Sequence, residues 1–123
     1  MSELRRAIEQ GDATALASVI HPDVVFRSPM APELYVGRSE MLKVLGVVLP
    51  LLQDFRYVQE IKDGDYEVLR FAAQVGEHEI DGVDIVRYDA SGLATEFTVM
   101  IRPGIVFAAV GETIKAAVAA ALN

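Results

Sequence analysis

The feature that most limits this chain is a change of period near its midpoint. As far as Leu49, apolar residues recur three or four apart: Leu4, Ala7 and Ile8, then Ala15, Leu16, Val19 and Ile20, then Met41, Leu42, Leu45, Val48 and Leu49. That is helical spacing. After Pro50 come "FRYVQEI", "YEVLRFAAQV", "EIDGVDIVRYD" and "LATEFTVMIR", rich in β-branched and aromatic residues and separated by "KDGD", "GEH" and "DASG". Connections this short can only join antiparallel neighbours, because a parallel pair needs a crossover of a dozen or more residues. Helices followed by a meander predict an α+β fold, in which a strongly curved antiparallel sheet wraps around N-terminal helices.

Within that frame, Glu3 to Ile20 reads as a helical hairpin or bent helix broken at "QGD", with Asp12 capping the second piece. His21 precedes Pro22 at the end of that piece, where a cation suits the helix dipole. "VVFRS" reads as a short strand and "PMAPELYVG" as a loop; Ser39 then caps a helix to Leu49 that Pro50 stops. Ile105 to Leu122 is an extra alanine-rich helix whose only charges are Glu112 and Lys115, so it needs cover on more than one face.

At 123 residues the chain suits one domain, 1–123, divided into 1–102 and the helix of 103–123. A net charge of −7 with no basic run argues against nucleic acid and anionic membranes as partners. The absence of cysteine removes disulfides and thiolate chemistry. "PGIVFAAVG" is about half the roughly 20 residues that cross a bilayer, and "MSELRRAIEQGD" carries acids where a secretory signal has an apolar core, so a cytoplasmic protein is expected. No phosphate loop, nucleophile elbow or zinc signature occurs. His78, Glu79 and Asp81 alternate faces with no second histidine near, so neither metal nor cofactor is expected.

The chemistry concentrates on Asp84. Strand alternation puts Ile80, Gly82, Asp84, Val86 and Tyr88 on one face and Asp81, Val83, Ile85 and Arg87 on the other. An acid with apolar neighbours on its own side loses hydration, which raises its pKa. The competing reading is a structural acid paired with Arg27 or Arg102. Ser28 reads as the end of a strand ahead of Pro29, with a hydroxyl available to a ligand, and Tyr57 and Tyr35 are further donors.

The element order, with "GDATAL", "HPDVVFRSP", "YVGR" and "GVDIVRYDASGLATEFTV", resembles the nuclear transport factor 2-like superfamily, in its SnoaL-like and ketosteroid-isomerase-like branch. The resemblance runs to about Arg102. It implies a cystatin-like cone, open at one end and dimerising through the outer sheet face. It also implies that Asp84 matches the cavity-facing acid of the isomerases, which stays protonated and donates to a substrate oxygen. The isomerases' catalytic base falls at Ser28 and their first-helix tyrosine at Leu4, so their usual catalytic set is absent. Phe26, Phe97, Val99 and Ile101 would face the cavity with Tyr57 and Val86. The expected function is acid/base isomerisation, cyclisation or (de)hydration of an apolar carbonyl or hydroxyl compound, with Asp84 and Ser28 as the catalytic pair. The alternatives are a non-catalytic binding module for a small hydrophobic ligand and a dimeric scaffold.

Overall fold

In the computed structural model, which describes residues 1–123 apart from the side chain of Ala109, the Ser2 hydroxyl accepts the Arg5 N–H at 3.1 Å and opens helix α1 (Glu3–Gln10). Gly11, at φ 65°, ends it in left-handed backbone that glycine adopts without steric cost. Asp12 caps α2 (Ala13–Ser18) through the Ala15 N–H, as its position predicts. The helix stops short of Ile20 because the β-branched Val19 and Ile20 pair with Ala94, whose N–H bonds the Val19 carbonyl at 2.8 Å. Strand β1 therefore spans Ile20–Arg27, longer than expected. His21 lies in that strand rather than at a helix end, and its Nδ1 accepts the Asp23 N–H at 2.9 Å.

A three-residue strand, β2 (Leu34–Val36), occupies part of the expected loop. Its pairing with β1 holds the chain extended to Val36, and Gly37, at φ 109°, turns it into α3 (Arg38–Val48). Gly37 thus takes the cap position expected of Ser39, with no side-chain bond. A 3-10 turn carrying Pro50 follows.

The meander then runs β3 (Gln53–Asp63), β4 (Tyr66–Val75), β5 (His78–Tyr88) and β6 (Ala94–Arg102), each antiparallel to the next. The sheet order is β2-β1-β6-β5-β4-β3, with β1 joining β6 in parallel, and the six strands form one curled, unclosed sheet. Its inner face packs on α1, α3 and the C-terminal helix α4 (Val106–Leu122), which lies against α3. Leu69, Phe71, Ala73 and Val75 of β4 are buried on that face, with Ile80 and Val86 of β5.

Glu67 shares the inner face and is fully buried. Its Oε1 accepts the Ser2 hydroxyl at 2.9 Å and the Tyr88 hydroxyl at 2.7 Å, so one carboxylate ties the start of α1 to β4 and β5. Burial, then the bond to Glu67, pushes the Tyr88 phenol well above its ordinary pKa. Alternation along "YEVLRFAAQV" puts Glu67 in phase with Leu69, Phe71 and Val75, but the hydroxyls that receive it come from segments 65 and 21 residues away.

Gly82 is required by close approach. It pairs with Phe71, and a Cβ at residue 82 would overlap the Phe71 ring. Gly82→Ala is expected to lower stability by about 1–3 kcal/mol, as overpacked cores do. Calorimetric melting checks this, and an unchanged Tm would show that the ring moves aside freely.

Candidate active site

Two acids three residues apart on β5 show what the inner face does. Asp81, outside, receives two bonds of 2.9 Å from the Arg70 guanidinium, which holds its carboxyl below the usual carboxylate range. Asp84, inside, is 4% exposed, and its Oδ2 accepts the Tyr57 hydroxyl at 2.5 Å. Burial raises the Asp84 pKa to about 7, with the Tyr57 hydrogen bond pulling the other way. The Tyr57 phenol is itself pushed well above its ordinary value, first by burial and then by the Asp84 charge. The arginines considered as partners lie elsewhere. Arg27 bonds Glu96 at 3.3 Å, and Arg102 is exposed at the end of β6.

Tyr57 reaches Asp84 across an intervening strand. Tyr57 pairs with Phe71 and Phe71 with Gly82, so a row of inward positions crosses β3, β4 and β5 just beside Asp84. The register slips between Tyr57 and Gln59, leaving Val58 as the extra residue of a bulge. Helix α1 engages the backbone there. The Tyr57 N–H donates to Glu9 Oε2 at 3.4 Å, and Arg5 Nη2 donates to the Tyr57 carbonyl at 3.5 Å. The Arg5 guanidinium also sits 5.8 Å from the ring centre. Phe55 and Phe71 hold the ring edge-on, with centroids 5.0 and 6.3 Å away.

Asp84 and Tyr57 open onto an internal cavity of about 70 Å³. Phe26, Phe97, Val99 and Ile101 contribute to its strand wall, and Val106, Phe107, Val110 and Ile114 of α4 close the opposite side. Among the described lining residues, Ser28, Tyr57 and Asp84 alone carry a hydroxyl or carboxyl. The Ser28 hydroxyl accepts the Met30 N–H at 3.2 Å, the turn role its place before Pro29 suggests. Val86 is fully buried opposite Phe97 and is not among the residues that line the cavity. Tyr35 packs its ring 6.0 Å from that of Phe26, outside this cavity. Among the described residues no group of three or more His, Asp or Glu gathers to hold a metal, and no helix is long and apolar enough to cross a membrane.

A curled sheet packed on helices, with a buried acid on its inner face, defines a protein of the nuclear transport factor 2-like class. The chain belongs to the SnoaL-like domain family, whose sequence profile matches residues 2–97. No curated protein matches the sequence. Among solved structures it is similar to a steroid delta-isomerase from Pseudomonas aeruginosa, at 38% identity over 98% of this chain and 89% of that one, with a TM-score of 0.87. A bacterial protein of cystatin-like fold from Silicibacter pomeroyi is 28% identical over 93% of this chain and 81% of that one, with a TM-score of 0.85. A SnoaL-like polyketide cyclase assignment from Shewanella denitrificans, at 15% identity over 93% of each chain and a TM-score of 0.66, shares the fold alone.

The raised Asp84 pKa makes a stability prediction with a definite sign. Below about pH 4 the acid is protonated whether the chain is folded or not. Between there and about pH 7 the unfolded chain loses the proton while the folded chain keeps it. Stability from this group is therefore full at low pH and falls as pH rises to about 7. Asp84→Asn, which carries no titrating proton, is expected to gain on the wild type from pH 4.5 to about pH 7 and to level off by pH 8 in melting experiments. A constant difference across that range would show that Asp84 titrates normally.

Proposed function

We propose that the chain is a small-molecule enzyme in which Asp84 moves a proton on an apolar carbonyl or hydroxyl compound. The observation that carries this reading is the buried Asp84–Tyr57 pair on the wall of an otherwise apolar space. A carboxyl with a pKa of about 7 is populated in both forms at neutral pH. It can take a proton from the carbon beside a carbonyl and return it two carbons away, so that proton and double bond exchange places and no cofactor is consumed. With Oδ2 held by Tyr57, Oδ1 is the oxygen left to the ligand. The similarity to a protein described as a steroid delta-isomerase supports isomerisation above cyclisation or hydration. By the resemblance, the isomerases' other catalytic groups would fall at Ser28 and at Leu4, which is buried and has no polar atom. Asp84 then both removes and returns the proton, and the Ser28 hydroxyl is the group left to donate to the ligand oxygen as charge develops on it.

The test uses a β,γ-unsaturated cyclic ketone, whose conversion to the conjugated isomer raises ultraviolet absorbance. Asp84→Asn is expected to slow turnover roughly 100- to 10,000-fold, the usual contribution of a positioned acid or base. Tyr57→Phe removes the bond that lowers the Asp84 pKa, so the midpoint of the pH–rate profile should move upward. Turnover that Asp84→Asn leaves intact refutes the mechanism. If the ketone binds through Asp84 but is never converted, the second reading, a non-catalytic binding module, takes its place. The cavity favours that reading to the extent that it offers one acid and no second ionised group.

A homodimer through the outer sheet face belongs to the same proposal. Ile61 and Met100, 50% and 54% exposed, border a shallow apolar depression with Val68 and Val83. Arg70, Asp81 and Arg102 rim it with charges of both signs, which a two-fold pairing can match. Met100→Glu is expected to convert a dimer to a monomer in size-exclusion light scattering, and a dimer that persists excludes this face.

A further inference from the structure

The internal cavity is too small for most members of the ligand class just proposed. At about 70 Å³ it has half the ~150 Å³ that holds benzene in an apolar protein interior. A larger hollow, of about 360 Å³, lies beside it between α4 and the segment from Ser28 to Tyr35. The two spaces share a wall, since Ser28, Met30, Val44, Val48 and Ile114 line both. In that wall the Met30 side chain packs against α4. A Cβ placed on Gly111 would lie 3.6 Å from the Met30 methyl carbon. An unbranched, flexible side chain thus faces a helical position that has no side chain of its own. Beyond it the hollow is lined with apolar groups such as Pro32, Val118 and Ala119, and Glu33 and Lys115 also border it.

We propose that this hollow is the outer half of the ligand site. The Met30 side chain swings aside, and an elongated apolar molecule lies with its carbonyl or hydroxyl at Asp84 and its body in the channel between α4 and residues 28–35. The inference rests on the reading of the inner cavity as a ligand site and narrows the substrate class. It selects molecules with a chain or fused-ring body longer than the cavity, and it makes Met30 and the outer face of α4 determinants of specificity. The C-terminal helix then acts as one bank of a groove.

Titration calorimetry with a series of methyl ketones, from 2-butanone to 2-undecanone, tests this on the full chain. In the wild type, affinity should rise three- to fourfold per methylene, the increment for burying a CH₂. Ala119 is exposed and borders the hollow, so Ala119→Trp fills the channel from a position that folding tolerates. In that variant the short ketones should bind as before while the increment disappears for the long ones. Ala31→Trp fills it from the opposite bank and serves if the helix variant melts early. Met30→Ala should speed association of the long ketones in stopped flow. An increment that survives both tryptophan variants overturns the outer site and leaves the Asp84 reading standing. If no ketone binds the wild type, or if binding ignores Asp84→Asn, the inner site falls and the channel with it.

Discussion

The architecture around Asp84 depends on keeping one carboxyl out of water without an ion to neutralise it. A buried, unpaired charge costs several kcal/mol, and a protein escapes that cost by leaving the group protonated or by supplying hydrogen bonds. Here the nearest partner is a phenol rather than a guanidinium. A neutral donor favours the carboxylate less than a cation does and so leaves the exchange between protonation states open, whereas the Arg70 fork outside the sheet holds Asp81 in its charged form. Much of the surrounding structure serves to bring that phenol into place. The bulge at Val58 changes the facing of β3, α1 engages both backbone groups of Tyr57, and the missing side chain of Gly82 admits Phe71 beside it.

The inner face carries a second carboxyl, and the comparison separates architecture from chemistry. Glu67 and Asp84 occupy neighbouring rows, since Glu67 pairs with Val86 and Asp84 with Leu69. Glu67 takes two hydroxyl donors on one oxygen and leaves Oε2 buried without a partner, away from the cavity wall. It holds the N-terminus of α1 in register with the sheet. Asp84 has one donor and faces open space. Of two buried acids, the one that borders a cavity is the one available to a ligand.

Family membership fixes the shape more firmly than the reaction, because a fold of this kind hosts many chemistries and the site decides among them. Here the site consists of a buried acid, a phenol and one aliphatic hydroxyl on an otherwise apolar wall. The C-terminal helix, outside the matched residues 2–97, supplies much of the wall facing that acid. Part of that wall therefore comes from a segment that the family profile does not describe.

Strand order along the meander, the inward direction of Asp84, the cap at Asp12 and the α+β arrangement were legible in the sequence, because each follows from spacing within a few residues. Tyr57 could be named as a donor, but its direction could not be read, since a bulge one residue later and an entire intervening strand decide it. The parallel union of β1 with β6, the hydroxyl partners of Glu67 and the place of α4 beside Met30 were set by tertiary structure alone. Periodicity reports which side of its own element a residue occupies. What lies on that side is settled by segments tens of residues away, whose packing fixes both the dielectric around an acid and the volume left beside it.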